Sequence, residues 1–97
     1  MDWAWDSAGA LQAYEADLAI AERLAASDPG NAQWQRDLYI SYWRMADIGE
    51  RTGRDDGGEW WRKAYEALVG MKERGMHLTP EDEGFLEQLR EKMQRLE

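Results

Sequence analysis

The sequence contains no cysteine, one histidine and two prolines in 97 residues. Without cysteine the chain can form neither a disulfide framework nor a thiolate metal site, which favours a reducing compartment. Its apolar runs are far shorter than the roughly 20 residues that a bilayer span requires. Residues 1–6 are acidic where a secretory signal would be basic and then apolar. We therefore expect a cytoplasmic chain with no membrane segment.

Basic residues are also few, with 12 Lys and Arg against 20 Asp and Glu, and the net charge is -8. The bases are interleaved with acids and form no basic stripe, so nucleic acid is not an expected partner. The acidity fits solubility, and it also fits attraction toward a basic partner. With 43% hydrophobic and 33% charged residues, the chain has the composition of a soluble globular protein. Its length predicts one domain, residues 1–97, with a modest core.

A segment of this sequence occurs twice. Ala13–Arg23 matches Ala64–Arg74 after a shift of 51 positions without a gap, and six of the eleven residues are identical where chance would give about one. Further pairs at the same shift are similar in character: Asp28 and Thr79, Pro29 and Pro80, Asn31 and Asp82, Trp34 and Phe85, Leu38 and Leu89. The sequence therefore predicts a repeated unit of two helices.

Apolar residues at spacings of three and four predict helices over about 8–26, 31–52, 59–74 and 80–96. Residues 1–6 are interpreted as a lead-in, and Ser7 as a fair N-cap. The predicted buried stripes are Leu11, Tyr14, Leu18, Ala21 and Ala25 in the first helix, Trp34, Leu38, Ser41, Tyr42, Met45 and Ile48 in the second, Trp61, Ala64, Tyr65, Leu68 and Met71 in the third, and Phe85, Leu86, Leu89, Met93 and Leu96 in the fourth.

Several residues mark helix ends. In residues 28–31, Asp28 can cap a helix and Pro29 suits a first helical position. Gly75 suits the left-handed position that ends a helix. Thr79 to Asp82 reads as an N-cap, a first-turn proline and an acid at the third position, which resembles a capping box. Residues 53–58 have the composition of a turn.

Catalytic and metal-binding patterns are weak. No serine or threonine lies at a helical spacing that would bring it to His77, the one histidine. His77 is predicted to be a turn residue, with a role as a general base or ligand as the alternative. Asp55 and Asp56 are adjacent, whereas a calcium loop needs oxygen ligands at alternate positions. We expect no enzymatic activity, no metal and no cofactor.

Two repeated helical hairpins resemble the tetratricopeptide repeat family. Tyr42, Met45, Ala46, Gly49 and Gly53 occupy its pattern of aromatic, Leu-Gly, aromatic and Gly, with Gly49 standing in place of the second aromatic. The period of 51 also exceeds the family's usual 34. The sequence resembles a long-helix bacterial variant of this family, at the C-terminal end of a repeat array. The resemblance implies an all-α fold of four antiparallel helices, a short α-solenoid with a right-handed superhelical turn.

The resemblance also implies a binding surface on the exposed face of the second helix. Trp43 and Arg44 would provide affinity, and Asp47 and Glu50 would select a basic partner. The hypothesis is a non-catalytic module that binds a protein or peptide. One alternative is that this face is solvated or contacts a neighbouring unit. Another is a self-assembly module that forms a homodimer through the N-terminal helix. The predicted partner-binding residues are Ile40, Trp43, Arg44, Asp47, Glu50 and Arg51.

Overall fold

The computed structural model describes the backbone of residues 3–53 and 57–96, and the side chains of residues 9–53 and 58–95. Four α-helices account for almost all of this backbone, and the described part of the chain contains no strand. The helices are α1 (Trp3–Ser27), α2 (Ala32–Arg51), α3 (Gly57–Glu73) and α4 (Pro80–Leu96). The prediction of an all-α fold is therefore confirmed, and the ends of α2, α3 and α4 lie within two residues of their predicted positions.

Helix α1 begins at Trp3 instead of residue 8, so the prediction of a lead-in over residues 1–6 before an N-cap at Ser7 is wrong for residues 3–6. Residues 1 and 2 lie outside the described residues. Two tryptophans at positions 3 and 5 do not prevent a helix. Alanine has the highest helix propensity, and Ala4, Ala8 and Ala10 extend the helix toward the N-terminus. Helix propensity therefore outweighs the weak N-cap signal at Ser7.

Helix α2 is capped by Asn31, whose Oδ1 accepts a hydrogen bond from the backbone N–H of Trp34 at 3.0 Å. The backbone N–H of Asn31 donates to the carbonyl oxygen of Asp28 at 3.0 Å, so residues 28–31 form a turn ahead of the helix. Asp28 does not cap α2, and Pro29 lies outside it. Asn31 therefore has a different role from its repeat partner Asp82.

The start of α4 confirms the predicted capping box. The backbone N–H of Asp82 donates to the hydroxyl oxygen of Thr79 at 3.1 Å. The backbone N–H of Thr79 donates in return to Oδ2 of Asp82 at 3.0 Å. Two backbone donors at the helix start are satisfied in this way. The side chain of Asp82 is thereby fixed in direction, which matters for its long-range contacts.

Glycines in the left-handed conformation end α2 and α3, as Gly53 has a φ of 72° and Gly75 a φ of 77°. The backbone N–H of Gly75 donates to the carbonyl of Lys72, and that of Met76 donates to the carbonyl of Met71. Side chains with a Cβ rarely adopt this backbone conformation. The helix end predicted at Gly75 is confirmed.

Each helix packs against the next one in the chain, so consecutive helices form hairpins. Helices α2, α3 and α4 share the main core, while α1 packs on α2 through buried Leu18, Ala21 and Ala25. The buried members of the main core are Tyr39, Ala46, Trp61, Ala64, Leu68, Met71, Leu86 and Leu89. The superhelical arrangement implied by the tetratricopeptide resemblance stays a prediction.

Helix α2 differs from the prediction, because it is buried on two faces instead of along one stripe. Ser41, Met45 and Ile48 are buried as predicted, but Tyr39 and Ala46 are buried as well. Residues Trp34, Leu38 and Tyr42 of the predicted stripe are only half-buried. The cause is that α2 packs against α1 on one side and against α3 and α4 on the other.

Candidate interaction surface

The six residues predicted to bind a partner all lie on α2, but their side chains occupy three environments. Their role in binding stays a prediction, while the structure shows which of them a partner can reach. Ile40 and Arg44 line a groove beside α1. Trp43 packs toward α3 and α4. The third group lies in the last turns of α2 and consists of Asp47, Glu50 and Arg51.

Trp43 is half-buried and packs against the main core. Its ring centroid lies 4.9 Å from that of Trp61, edge-on at 88°, and 4.9 Å from that of Phe85. Aromatic pairs at these separations stabilise a fold beyond the area they bury. Only part of the Trp43 ring is therefore exposed, and its role in binding stays a prediction. The second aromatic neighbour, on α4, was not foreseeable from the spacing within α2.

The three residues near the end of α2 are engaged with their neighbours. Asp47 and Arg51 form an exposed ion pair at 3.1 Å, one helical turn apart, of the kind that contributes little to stability. Glu50 Oε1 accepts a hydrogen bond from the indole N–H of Trp61 at 2.6 Å. Lys92 Nζ lies 3.8 Å from the same carboxylate and 4.4 Å from the centre of the Trp61 ring. Glu50 therefore joins α2 to α3 and α4.

An open groove runs between α1 and α2, and we call it the α1–α2 groove. Its volume is about 260 Å³. Ile20 forms part of its wall and is 52% exposed, and no other large apolar side chain in the described part of the chain is exposed to this degree. The groove is lined by Asp17, Ile20, Ala21, Leu24, Trp34, Asp37, Ile40, Ser41 and Arg44.

Charged groups flank the apolar floor of the α1–α2 groove. The guanidinium carbon of Arg44 lies 6.0 Å from the centre of the Tyr14 ring, which is a loose cation–π contact. Asp37 accepts a hydrogen bond from the side chain of Gln33 at 2.9 Å. Among the described residues, Asp17 has no hydrogen-bond or ion-pair partner. The groove therefore combines apolar contact area with two exposed carboxylates and one exposed guanidinium.

The strongest polar network of the described residues lies elsewhere, at the start of α4. Asp82 is 1% exposed and accepts hydrogen bonds from Arg36, with Nη2 to Oδ2 at 2.8 Å and Nε to Oδ2 at 3.1 Å. The hydroxyl of Tyr39 also donates to Asp82. Together with the backbone N–H of Thr79, these donors surround the carboxylate. The network ties α2 to α4 across 46 positions of sequence.

The pKa values follow from these contacts. Burial alone would raise the pKa of Asp82, but hydrogen bonds from Arg36, Tyr39 and Thr79 outweigh it and hold this pKa well below its usual range. Burial and the bond to Asp82 raise the pKa of the Tyr39 hydroxyl. Every donor is directed at one carboxylate that is already satisfied, so this arrangement is a structural link. It does not have the geometry of a general acid or base.

Tyr42 provides a second link, between α2 and α1. Its hydroxyl donates to Oε2 of Glu22 at 3.3 Å. Burial raises the pKa of Tyr42, and the nearby charge of Glu22 is the second cause; together they bring this pKa to about 12. The ring of Tyr42 also stacks on that of Trp60 with centroids 6.1 Å apart. Tyr42 is therefore a packing residue at the junction of three helices.

His77 is exposed in the connection between α3 and α4, as predicted for a turn residue. No group of three or more potential ligands that could hold a metal ion occurs within the described residues. Asp55 and Asp56 lie outside the described residues.

Sequence reasoning missed two features of the structure. The first is the long-range pair of Arg36 and Asp82, because Asp82 was noted only as part of a capping box. The second is Ile20, which lies beside the predicted stripe of α1 and yet supplies the exposed apolar wall of the groove. The signal that could have found Ile20 is its large apolar side chain among small alanines on a helix that otherwise buries little.

No family model, no curated protein and no solved structure matches this chain. The resemblance to tetratricopeptide repeats therefore depends on the residues of this sequence alone and stays a prediction. Among the described residues, no helix has both the length and the apolar character needed to cross a bilayer.

Proposed function

We propose that this chain is a non-catalytic, tetratricopeptide-like interaction module that binds another protein or peptide at the α1–α2 groove. The observation that carries the proposal is the exposure of Ile20 beside the half-buried Trp34 and Ile40 in an open groove. Apolar side chains that stay exposed together on a small domain are typical of protein contact sites. The carboxylates of Asp17 and Asp37 outnumber the one guanidinium at the groove, that of Arg44, and this balance favours a basic partner.

The proposal moves the predicted site toward α1. Ile40 and Arg44 remain in it, because both line the groove. Trp43 and Glu50 are assigned to stability, since both are engaged with α3 and α4. The lack of cysteine supports placing the protein in a reducing compartment, and we propose the cytoplasm.

Site-specific photocrosslinking in cells of the native host tests this proposal. A benzoylphenylalanine at position 20 is compared with one at position 91, which is exposed on α4. We expect covalent adducts with another protein from position 20 and none from position 91. Equal adducts at both positions, or none from position 20, would contradict the proposed groove.

The alternative proposal is self-assembly through α1, and the exposed Ile20 on that helix is the observation that favours it. Light scattering during size-exclusion chromatography separates the two functions. A binding module with a foreign partner should elute as a monomer of 11.3 kDa. A dimer that Ile20→Lys converts to a monomer would instead support self-assembly.

A further inference from the structure

The internal repeat identifies what the α1–α2 groove is shaped to hold. A shift of 51 positions places Ile20 on Met71, Asp17 on Leu68 and Trp34 on Phe85. The first residue of each pair lines the open groove, and the second lies in the packed half of the molecule. The part of the groove that Asp17, Ile20 and Trp34 form is therefore the open counterpart of a surface that α3 and α4 form.

That α3–α4 surface is covered by a helix. Met71 and Leu68 are both 0% exposed in the core that α2 shares with α3 and α4. The ring of Phe85 lies 6.1 Å from Tyr39 and 4.9 Å from Trp43, two residues of α2 that are one helical turn apart. A helix that presents aromatic residues four positions apart thus fills the site that corresponds to the groove.

We propose that the α1–α2 groove binds a basic amphipathic helix of another protein, seated as α2 is seated on α3 and α4. This inference rests on the proposed function, because it names the class of partner for the same groove. The ligand helix presents apolar or aromatic side chains, spaced four apart, to Ile20 and Trp34. It carries Lys or Arg where it passes Asp17.

Of the three pairs named above, only Asp17 and Leu68 differ in chemistry, and the basic character follows from that pair. Leu68 is buried under α2, whereas Asp17 stands in its place and has no partner among the described residues. Covering Asp17 with an apolar helix would remove a carboxylate from water without compensation, which is costly. A Lys or Arg on the ligand helix provides that compensation, and Asp37 on the opposite wall gives a second position for one.

A second copy of this chain is a poor occupant by the same reasoning. Each copy has a net charge of -8, so two copies repel each other at separations shorter than the Debye length. The outward face of α4, which corresponds to α2 in the repeat, is also polar. Its exposed side chains are Glu87, Gln88, Arg90, Glu91, Gln94 and Arg95.

The test uses two designed peptides and the full chain. The basic peptide is an 18-residue, amidated, alanine-based helix with Tyr and Trp four positions apart on one face and Lys on both flanks of that face. The acidic peptide carries Glu in place of each Lys. Binding of both fluorescein-labelled peptides is measured by fluorescence anisotropy at two salt concentrations.

We expect the basic peptide to bind at least about tenfold more tightly than the acidic one, with a preference that falls as salt rises. Asp17→Lys should reduce binding of the basic peptide about tenfold. Ile20→Ser should weaken the binding of both peptides. Glu91→Lys, the same charge change on the far helix, should leave the affinity within about twofold of the parent. Since Asp17, Ile20 and Glu91 are exposed, the variants should fold, which circular dichroism checks.

Other outcomes separate this inference from the proposed function. Equal binding of the two peptides, or an Asp17→Lys effect no larger than that of Glu91→Lys, would overturn the basic helix as ligand. If neither peptide binds while position 20 still crosslinks to a protein in cells, the interaction module stands and the helical ligand is wrong. If position 20 does not crosslink and neither peptide binds, both fail.

Discussion

At the scale of single residues, the carboxylate of Asp82 carries the most concentrated set of contacts in the described chain. It caps its own helix through Thr79 and binds Arg36 and Tyr39 of α2. A buried carboxylate stabilises a fold only while its hydrogen-bond partners stay in place. Each lost partner leaves a charged oxygen that is cut off from water and has no replacement bond. Asp82 therefore joins helix initiation to tertiary packing.

Replacing Asp82 by Asn should lower the free energy of unfolding by about 3 kcal/mol at neutral pH, since the charge that pairs with Arg36 is lost. Urea denaturation followed by circular dichroism measures this. Asp37→Asn is the matched control, because Asp37 is exposed and its change should stay within about 0.5 kcal/mol. Equal stability of the two variants would show that the network does not stabilise the fold.

The same network predicts a pH dependence. Because the folded pKa of Asp82 is lowered, its stabilising contribution is present above the unfolded pKa of about 3.9 and is lost as the pH falls toward the folded pKa. Unfolding measured between about pH 5 and pH 2 should show a smaller loss of stability in Asp82→Asn than in the parent. Parallel pH profiles of the two proteins would contradict the assignment.

Trp43 gives a second prediction at this scale. Trp43→Ala should destabilise the fold by about 3 kcal/mol, because it removes the ring that contacts Trp61 and Phe85. Ile20→Ala should change stability by no more than about 0.5 kcal/mol, since Ile20 is half exposed. Chemical denaturation of both variants makes the comparison. A larger effect at Ile20 than at Trp43 would reverse their assigned roles.

At the scale of elements, helix ends were more predictable than helix faces. The box at Thr79 and the left-handed Gly75 depend on a few adjacent residues, so the sequence alone locates them. The burial of Tyr39 depends on α4, which is about 40 positions away, and no local pattern reports it. The early start of α1 was missed because alanine-rich helices start without a strong cap.

Substitutions at two glycines test the described helix boundaries. Gly75→Ala should lower stability by about 1 kcal/mol, because Gly75 has a φ of 77°. Gly84→Ala should raise stability by up to about 1 kcal/mol, since Gly84 lies inside α4 and an added Cβ there meets nothing within 4 Å. Thermal and urea unfolding measure both. A shift of the same sign in the two variants would contradict the described helix boundaries.

At the scale of the whole molecule, the two halves of the repeat differ in how much apolar surface they bury. The α3–α4 half is completed by α2, while the corresponding α1–α2 half presents Ile20 in an open groove. The repeat itself was visible in the sequence as the match of residues 13–23 to 64–74. Which surface stays open was not visible, because it depends on how all four helices pack.

The candidate site shows the same limit. Ile40 and Arg44 were identified from α2 alone and do line the groove, but half of the groove belongs to α1. A pattern read along one helix cannot identify a surface that two helices build. The same pattern cannot separate Trp43, which packs inward, from an exposed aromatic residue. Both limits arise from contacts between residues that are distant in sequence.

The α1–α2 groove is proposed to receive a basic amphipathic helix. Amide chemical-shift mapping of the ¹⁵N-labelled chain, titrated with the Lys-flanked peptide, tests it most directly. We predict saturable shifts centred on Asp17, Ile20, Ile40 and Arg44, with the exposed residues of α4 unmoved. Shifts centred on α4, or shifts spread evenly over the molecule, would contradict the claim.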